Sequence, residues 1–304
     1  MINAIQKFKE SVAPEKTRIE SLFPLILVFG GPAPITEKYS SCRNVFLNWA
    51  YDTKYDLSSY LRIPENFKEW NNFEGYQNLV DFEKDAGCLT RGILLFSESP
   101  GALAELGSFC TDEDLCERLL VVVANEYYQA PSFIGLGPVR RIEGLHTSKA
   151  ICVVDTTKDK QAFEKEVVDI GDALRVKVES SLKTVQFNEK TTRDQFLLIA
   201  DLIELFGALT ETELKILLLH MGVNSANLKR MLNQLILFEL IIKIPEKTER
   251  YYIPPKQRAH FLNYTAPVGS KFERAPFKLI TAHPELKKDG NRLKAYAKIH
   301  GEPR

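Results

Sequence analysis

Residues 23–29, 92–96, 119–124 and 150–154 are short runs of almost unbroken apolar side chains. Between them, helix-like stretches occupy 37–50, 76–86 and 102–109. A strand that is apolar at every position is buried on both faces, as in a parallel sheet covered by helices. The alternation predicts an open α/β sheet of Rossmann-like character, which binds ligands in the crevice beyond the carboxyl ends of its strands. Attention therefore goes to the loops after Phe29, Phe96 and Ala124. Residues 158–189 are charged and amphipathic and predict a helix closing this first domain, then a linker.

From Thr191 the pattern changes. Residues 196–206 predict a helix with a broad apolar face. Thr210 with Glu213 three residues on is a capping box, opening a helix that runs to about His220. Gly222 supplies a turn, and Asn224 or Ser225 caps a third helix through Lys229, Arg230, Leu232 and Leu235. Residues 240–244 and 250–253, joined by Pro-Glu-Lys-Thr-Glu, predict a β-hairpin. Three helices followed by a hairpin predict a winged-helix domain. The remaining segment, rich in proline, predicts an irregular extension with short helices. The expected division is 1–189, 190–255 and 256–304.

Composition excludes several classes. At roughly 150 residues per domain, 304 residues suggest two domains. With 44% hydrophobic and 26% charged residues, the chain is neither disordered nor a disulfide-stapled miniprotein. Its longest clean apolar run, 22–29, is far below the roughly 20 residues of a membrane span. The first twenty residues, with Lys7, Lys9, Glu10, Glu15 and Lys16 among them, show no secretory signal. Five scattered cysteines without a CxxC pair read as reduced thiols in a cytoplasm. Five histidines show no zinc spacing, and GxSxG, P-loop and GxGxxG motifs are all missing, so neither a metal nor a resident cofactor is expected.

Charge is zero overall but uneven. Residues 256–304 hold seven Lys and four Arg against four acids, a net +7, and residues 190–255 are neutral, so the first 189 carry −7. A basic tail on an acidic body suits nucleic acid or a neighbouring copy of the chain, and an oligomer is expected on the second reading.

The most informative stretch is Phe96-Ser-Glu-Ser-Pro-Gly-Ala-Leu-Ala-Glu-Leu-Gly-Ser-Phe109. A buried strand ends at Phe96, a small-residue turn follows, and a helix starting near Ala102 carries Glu105 in its first turns. Gly101 lets backbone approach a ligand, and a helix N-terminus presents free N–H groups to an anion. On position alone, Glu105 is equally a helix-start acid favoured by the macrodipole. Gly30 and Gly31 follow the first strand. Arg43 could reach a phosphate or form a surface salt bridge. Ser132 could bind a ribose or cap a turn, and Asn125, ending a strand, is a similar candidate. In the third helix and wing, Lys229, Arg230, Lys247 and Arg250 are candidate contacts to nucleic acid or a protein partner.

The SPGALAELGSF loop resembles the catalytic loop of the nucleoside deoxyribosyltransferase-like superfamily and is similar to the PGGxGTxxE loop of cytokinin-releasing phosphoribohydrolases. Residues 119–125 and 132–138 resemble a second block found beside that loop in bacterial defence effectors. With the winged helix, the chain resembles the effector subunit of retrons over roughly residues 20–255. The resemblance implies a toxic, anti-phage N-glycosidase acting on a nucleotide, NAD foremost. Its glutamate, Glu105 here, would attack or stabilise the anomeric carbon of an oxocarbenium-like state. In deoxyribosyltransferases an Asp lies six residues before the nucleophile. Ser99 holds that spacing here and Glu98 lies one further back, with Asp81 as another candidate acid or a solvated helix residue. The implied partners are the retron reverse transcriptase and its multicopy single-stranded DNA–RNA hybrid. The competing expectation is a regulator that binds a nucleotide without cleaving it and contacts nucleic acid through its winged helix.

Overall fold

The computed structural model describes residues 1–67, 76–155, 157–181, 184–257, 259–267 and 272–301. Two compact units are distinguished: one of Phe23–Lys68 and Ala86–Leu182, the other of Met1–Leu22, Glu69–Asp85 and Lys183–Arg304. Residues 1–22 and 76–85, expected within the first domain, thus group with the C-terminal part.

The first unit is built on five parallel strands in the spatial order Leu61–Arg62, Ile26–Phe29, Gly92–Phe96, Leu119–Ala124, Ile151–Val154. Alternation along each strand sorts its side chains onto two faces. Ile26, Val28, Leu94, Phe96, Leu120 and Val122 pack on Val45, Phe46, Ile170 and Leu174 of helices Cys42–Asp52 and Val167–Ser180. On the opposite face Phe29 meets Phe109 edge to face at 5.1 Å. Every residue of the three inner strands is buried, hence their unbroken apolar runs. Ile151–Val154 departs from the expected doubly buried strand: it lies at the sheet edge, and Val153 is exposed.

The chain runs outward from Ile26–Phe29 to the edge strand Leu61–Arg62, then returns to Gly92–Phe96 on the other side. That reversal places a crevice between the carboxyl ends of Ile26–Phe29 and Gly92–Phe96, the ligand position of open α/β sheets.

In the second unit, helix Thr192–Phe206 is buried around its whole circumference from Phe196 onward, not along one face. A helix buried all round needs cover on all sides, and its two buried acids, Asp201 and Glu204, need partners within that cover. Helices Glu211–His220 and Leu228–Leu237 and hairpin Ile242–Glu246/Glu249–Ile253 supply part of it. The rest comes from the chain's two ends. Phe8 of helix Ile2–Ser11 meets Phe206 and Phe277, each in an edge-to-face ring contact. The Thr210–Glu213 capping box forms as the spacing predicts. Asn224, not Ser225, caps the turn before Leu228–Leu237. Strands Arg18–Ile19, Val185–Gln186 and Leu262–Asn263 form a small antiparallel sheet, too short to register in the sequence pattern.

The segment expected as an irregular basic extension is integral to this unit. Helices His283–Lys288 and Gly290–His300 close a core of Ala208, Tyr251, Ile253, Leu286, Ala295 and Tyr296. Its positive charges meet acids of the same unit: Arg274 with Asp201 and Glu204, Arg292 with Glu213, and Lys298 with Glu246. Arg258, Lys271 and Arg304 of that segment lie outside the described residues. Among the described residues, no helix is long and apolar enough to cross a membrane.

Candidate active site

Ser99 ends the turn after Gly92–Phe96 and caps helix Pro100–Phe109, its Oγ accepting from Ala102 N at 3.1 Å. The same hydroxyl donates to Gly30 O at 3.1 Å, tying the loops after the two central strands together. Ser99 therefore serves as a cap and loop tie. Pro100 occupies the first helical turn, where its missing N–H costs no hydrogen bond. Gly101 faces open space: a Cβ there would meet nothing within 4 Å.

Glu98 organises the crevice. Its Oε1 accepts from Gly31 N at 3.0 Å and Arg43 N at 2.9 Å, and its Oε2 accepts from Cys42 N at 2.7 Å. One carboxylate thus satisfies the loop after Ile26–Phe29 and the first amides of helix Cys42–Asp52, where negative charge is also favoured by the helix dipole. Gly30 and Gly31 are demanded by this packing. A Cβ on Gly30 would lie 2.9 Å from Arg43 Cβ, and one on Gly31 would lie 2.7 Å from Ser41 Cβ. Glu98→Gln would turn amide donors toward an NH2 group. It is expected to lower stability by about 1–3 kcal/mol, read as a shifted urea midpoint.

Arg43 is almost fully buried, so it is not the surface salt bridge one reading allowed. Its Nε donates to Gly31 O at 2.7 Å and its Nη1 to Val28 O at 3.2 Å. Nη1 also meets both oxygens of Glu65, at 2.8 and 3.0 Å. Glu65 stands on the turn Pro64–Asn66 just beyond edge strand Leu61–Arg62.

Glu105, half-buried on Pro100–Phe109, has its pKa pushed up to about 7. Burial is the main cause, the charge of Glu65 adds to it, and Arg43 opposes it. Arg43 and Glu65 thus pair at the carboxyl end of the sheet, and Glu105 stands on the helix that follows the next strand, Gly92–Phe96. A carboxyl poised near neutrality is suited to acid–base or nucleophilic work at physiological pH.

Beside this cluster lies a cleft of about 320 Å³ lined by Cys42, Glu98, Ser99, Leu103, Tyr127 and Lys160 among others. Leu103 and Glu105, two residues apart on a helix, point in nearly opposite directions, and Glu105 is not among the lining residues. Lys160 Nζ sits 3.3 Å from Cys42 Sγ and 3.7 Å from Glu98 Oε2 and also donates to Thr157 O. Burial first, then Glu98, pushes the Cys42 thiol up to about 12, so it stays protonated and unreactive.

The remaining candidates fall elsewhere. Asn125 donates to Asp155 Oδ1 at 3.3 Å at the ends of the last two strands. Ser132 accepts from Gly135 N at 3.3 Å, the turn-capping alternative. Asp81 belongs to the other unit, exposed, with Asn78 donating to its carboxylate at 2.9 Å. Arg230, expected to face a partner, pairs with Asp85 at 3.0 Å and lies over the Tyr76 ring. Lys229, Lys247 and Arg250 are exposed. Glu65 and Lys160 escaped the sequence reading. One follows a two-residue strand, and the other lies in a charged stretch that reads as helix surface.

Residues 39–243 match a family model described as STM3845 retron effector protein. A stretch of 123 residues is 29% identical to the Retron Ec86 putative ribosyltransferase/DNA-binding protein of Escherichia coli, covering 40% of this chain and 39% of that protein. A stretch of 65 residues is 34% identical to the Retron Ec73 putative ribosyltransferase/DNA-binding protein of Escherichia coli, covering 21% of each chain. The chain thus matches about two-fifths and one-fifth of the length of these curated relatives.

Proposed function

The chain belongs to the STM3845 retron effector family, and from that premise we propose that its parallel-sheet unit is a nucleoside deoxyribosyltransferase-like N-glycosidase. It cleaves the glycosidic bond of a nucleotide, NAD being the leading substrate, and its activity is the toxic output of an anti-phage defence system. The observation that carries this reading is Glu105: a carboxyl whose burial pushes its pKa up to about 7, on the helix that follows central strand Gly92–Phe96 of a parallel sheet. Departure of the base leaves positive charge on the anomeric carbon, and an adjacent carboxylate stabilises or captures it. The names of the two Escherichia coli relatives point to the same class of glycosyl chemistry. The test is incubation of the purified chain with NAD, ribonucleotides and deoxynucleosides, followed by chromatography of released bases. Release of nicotinamide or another base supports the reading, and no release from any of them overturns it.

For the second unit the proposal is a winged-helix module that docks the retron's reverse transcriptase and its multicopy single-stranded DNA–RNA hybrid. Its supports are the three helices followed by a hairpin and the exposed Lys247 and Arg250 of that hairpin. Lys247→Glu with Arg250→Glu is expected to weaken binding to the hybrid and to flatten its dependence on salt. Unchanged slope and affinity would exclude a phosphate contact by this hairpin. Arg230 is a poor choice for that test because its charge already serves Asp85.

A further inference from the structure

The parallel-sheet unit holds a second cavity, of about 600 Å³, that shares no lining residue with the cleft beside Glu98. Its walls come from the C-terminal half of helix Pro100–Phe109, at Gly107, and from helix Arg140–His146 with the turn Gly135–Val139 that leads into it. The surface is apolar and open. Phe133 is 83% exposed, and Leu136 and Leu145 are each more than half exposed. Large apolar side chains exposed together around one cavity mark a binding place. The helix backbones are bare there as well. A Cβ on Gly107 or on Gly144 would meet nothing within 4 Å, so packing inside the fold does not demand glycine at either position. Glycine within a helix is unfavourable relative to alanine, and here it leaves both helix surfaces open to a ligand.

Charge and size restrict the occupant. Arg140 and Arg141 line the cavity and no acid does. Arg140 is exposed, and Arg141 donates through Nε to Cys110 O at 2.8 Å. Glu143, the acid of the same helix, accepts from the Tyr128 hydroxyl at 2.8 Å. Asp112, next after Thr111, accepts from the amides of Asp114 and Leu115. An anion is therefore favoured. The same face of a second copy is not, because it would set arginine against arginine. Eleven residues line the cavity, whereas a stable protein interface engages roughly 20–30 a side. The volume is that of a small-molecule site. Guanidinium groups also stack on aromatic rings, and Phe133 adds an exposed ring of its own. We propose that this groove binds a small aromatic anion, with its rings against Phe133, Leu136 and Leu145 and its carboxylate, sulfonate or phosphate held by Arg140 and Arg141. Glu105 is not among the lining residues, so the proposal stands apart from the glycosidase reading.

The experiment is fluorescence titration of the full chain with 8-anilinonaphthalene-1-sulfonate, beside neutral N-phenyl-1-naphthylamine, which has the same rings without the sulfonate. The sulfonate is expected to saturate one site with a dissociation constant on the order of 10 µM, and the neutral dye to bind more weakly. Gly144→Leu fills the groove from a position where a Cβ meets no neighbour. It should weaken sulfonate binding by about tenfold or more without lowering the melting temperature. Arg140→Gln should weaken it by about fivefold and leave the neutral dye unchanged. If Gly144→Leu fails to fold, Phe133→Ser, at an exposed side chain, tests the same loss. Leu219→Ser, on the exposed face of helix Glu211–His220, should change nothing. Sulfonate binding that is absent, that survives filling of the groove, that ignores Arg140→Gln or that is lost in Leu219→Ser overturns the proposal. A neutral dye bound as tightly as the sulfonate would give the groove to the apolar face of a protein partner. Binding that falls as protein concentration rises would give it to a second copy. Either result also overturns the proposal.

Discussion

Glu105→Gln should reduce base release by about 10²–10⁴-fold while the fold persists, because the amide keeps the shape of the side chain but cannot carry the charge an oxocarbenium-like state requires. In the proposed reaction the active form is the carboxylate, so the rate should rise with pH and reach half its plateau near pH 7. The substitution has a second, opposite effect on stability. The folded state holds the Glu105 proton up to about pH 7, whereas the unfolded chain releases it near the ordinary glutamate value of 4.5. Between those values the folded state binds more protons, so this group's contribution falls as pH rises through the window and is lowest above it. Glu105→Gln should therefore match wild type at pH 4 and exceed it at pH 8, by on the order of 1–2 kcal/mol after allowing for partial exposure. Thermal unfolding at the two pH values measures this. Equal turnover by variant and wild type would remove Glu105 from the chemistry, and equal melting at both pH values would remove the burial penalty.

Arg274→Met should be the most destabilising single change in the second unit. Asp201 is fully buried, its Oδ1 accepting from Phe261 N at 2.7 Å and Leu262 N at 3.1 Å, its Oδ2 from Arg274 Nη1 at 2.9 Å. Arg274 also reaches Glu204 at 2.6 Å. Burial opposes the Glu204 charge, yet Arg274 and Lys278 together hold its pKa below the usual value. Methionine keeps the length of the side chain, leaves buried Asp201 with two backbone amides but without the Arg274 cation, and leaves Glu204 with Lys278 alone of this pair. The expected loss is about 3–5 kcal/mol, a fall in melting temperature on the order of 10 °C. The contrasting control is Lys298→Ala. It removes a partner of Glu246 whose own side chain is 53% exposed, and it should cost under about 1 kcal/mol. A variant lacking Arg274 that melts with wild type would mean that its ion pairs only offset their own desolvation.

The strands Gly92–Phe96 and Leu119–Ala124 were legible because burial on both faces leaves an unbroken apolar run, a signal contained in the residues themselves. The Thr210–Glu213 capping box and the helix carrying Glu105 were legible for the same reason: their determinants lie within a few residues of one another. The helix expected over 37–50 starts instead at Cys42, where Ser41 caps it and the carboxylate of Glu98 receives the amides of Cys42 and Arg43. No local pattern announces a cap delivered from more than fifty residues away. The +7 of residues 256–304 was countable, but not its destination. Its cations neutralise Asp201, Glu204, Glu213 and Glu246, acids distant in sequence that folding brings beside them.

Sequence alone determined the class of the sheet, the strand ends where a ligand would sit, and the candidacy of Glu105, because hydrophobic period and turn chemistry are local properties of a chain. Tertiary structure decided that Glu98, Ser99, Gly30 and Gly31 hold the crevice together, and that Arg43 is buried and paired with Glu65. Those roles depend on which strand ends become neighbours. The reversal of strand order after Ile26–Phe29 brings the loops after that strand and Gly92–Phe96 together, where Glu98 and Ser99 tie them, and burial raises the pKa of Glu105 on the helix that follows.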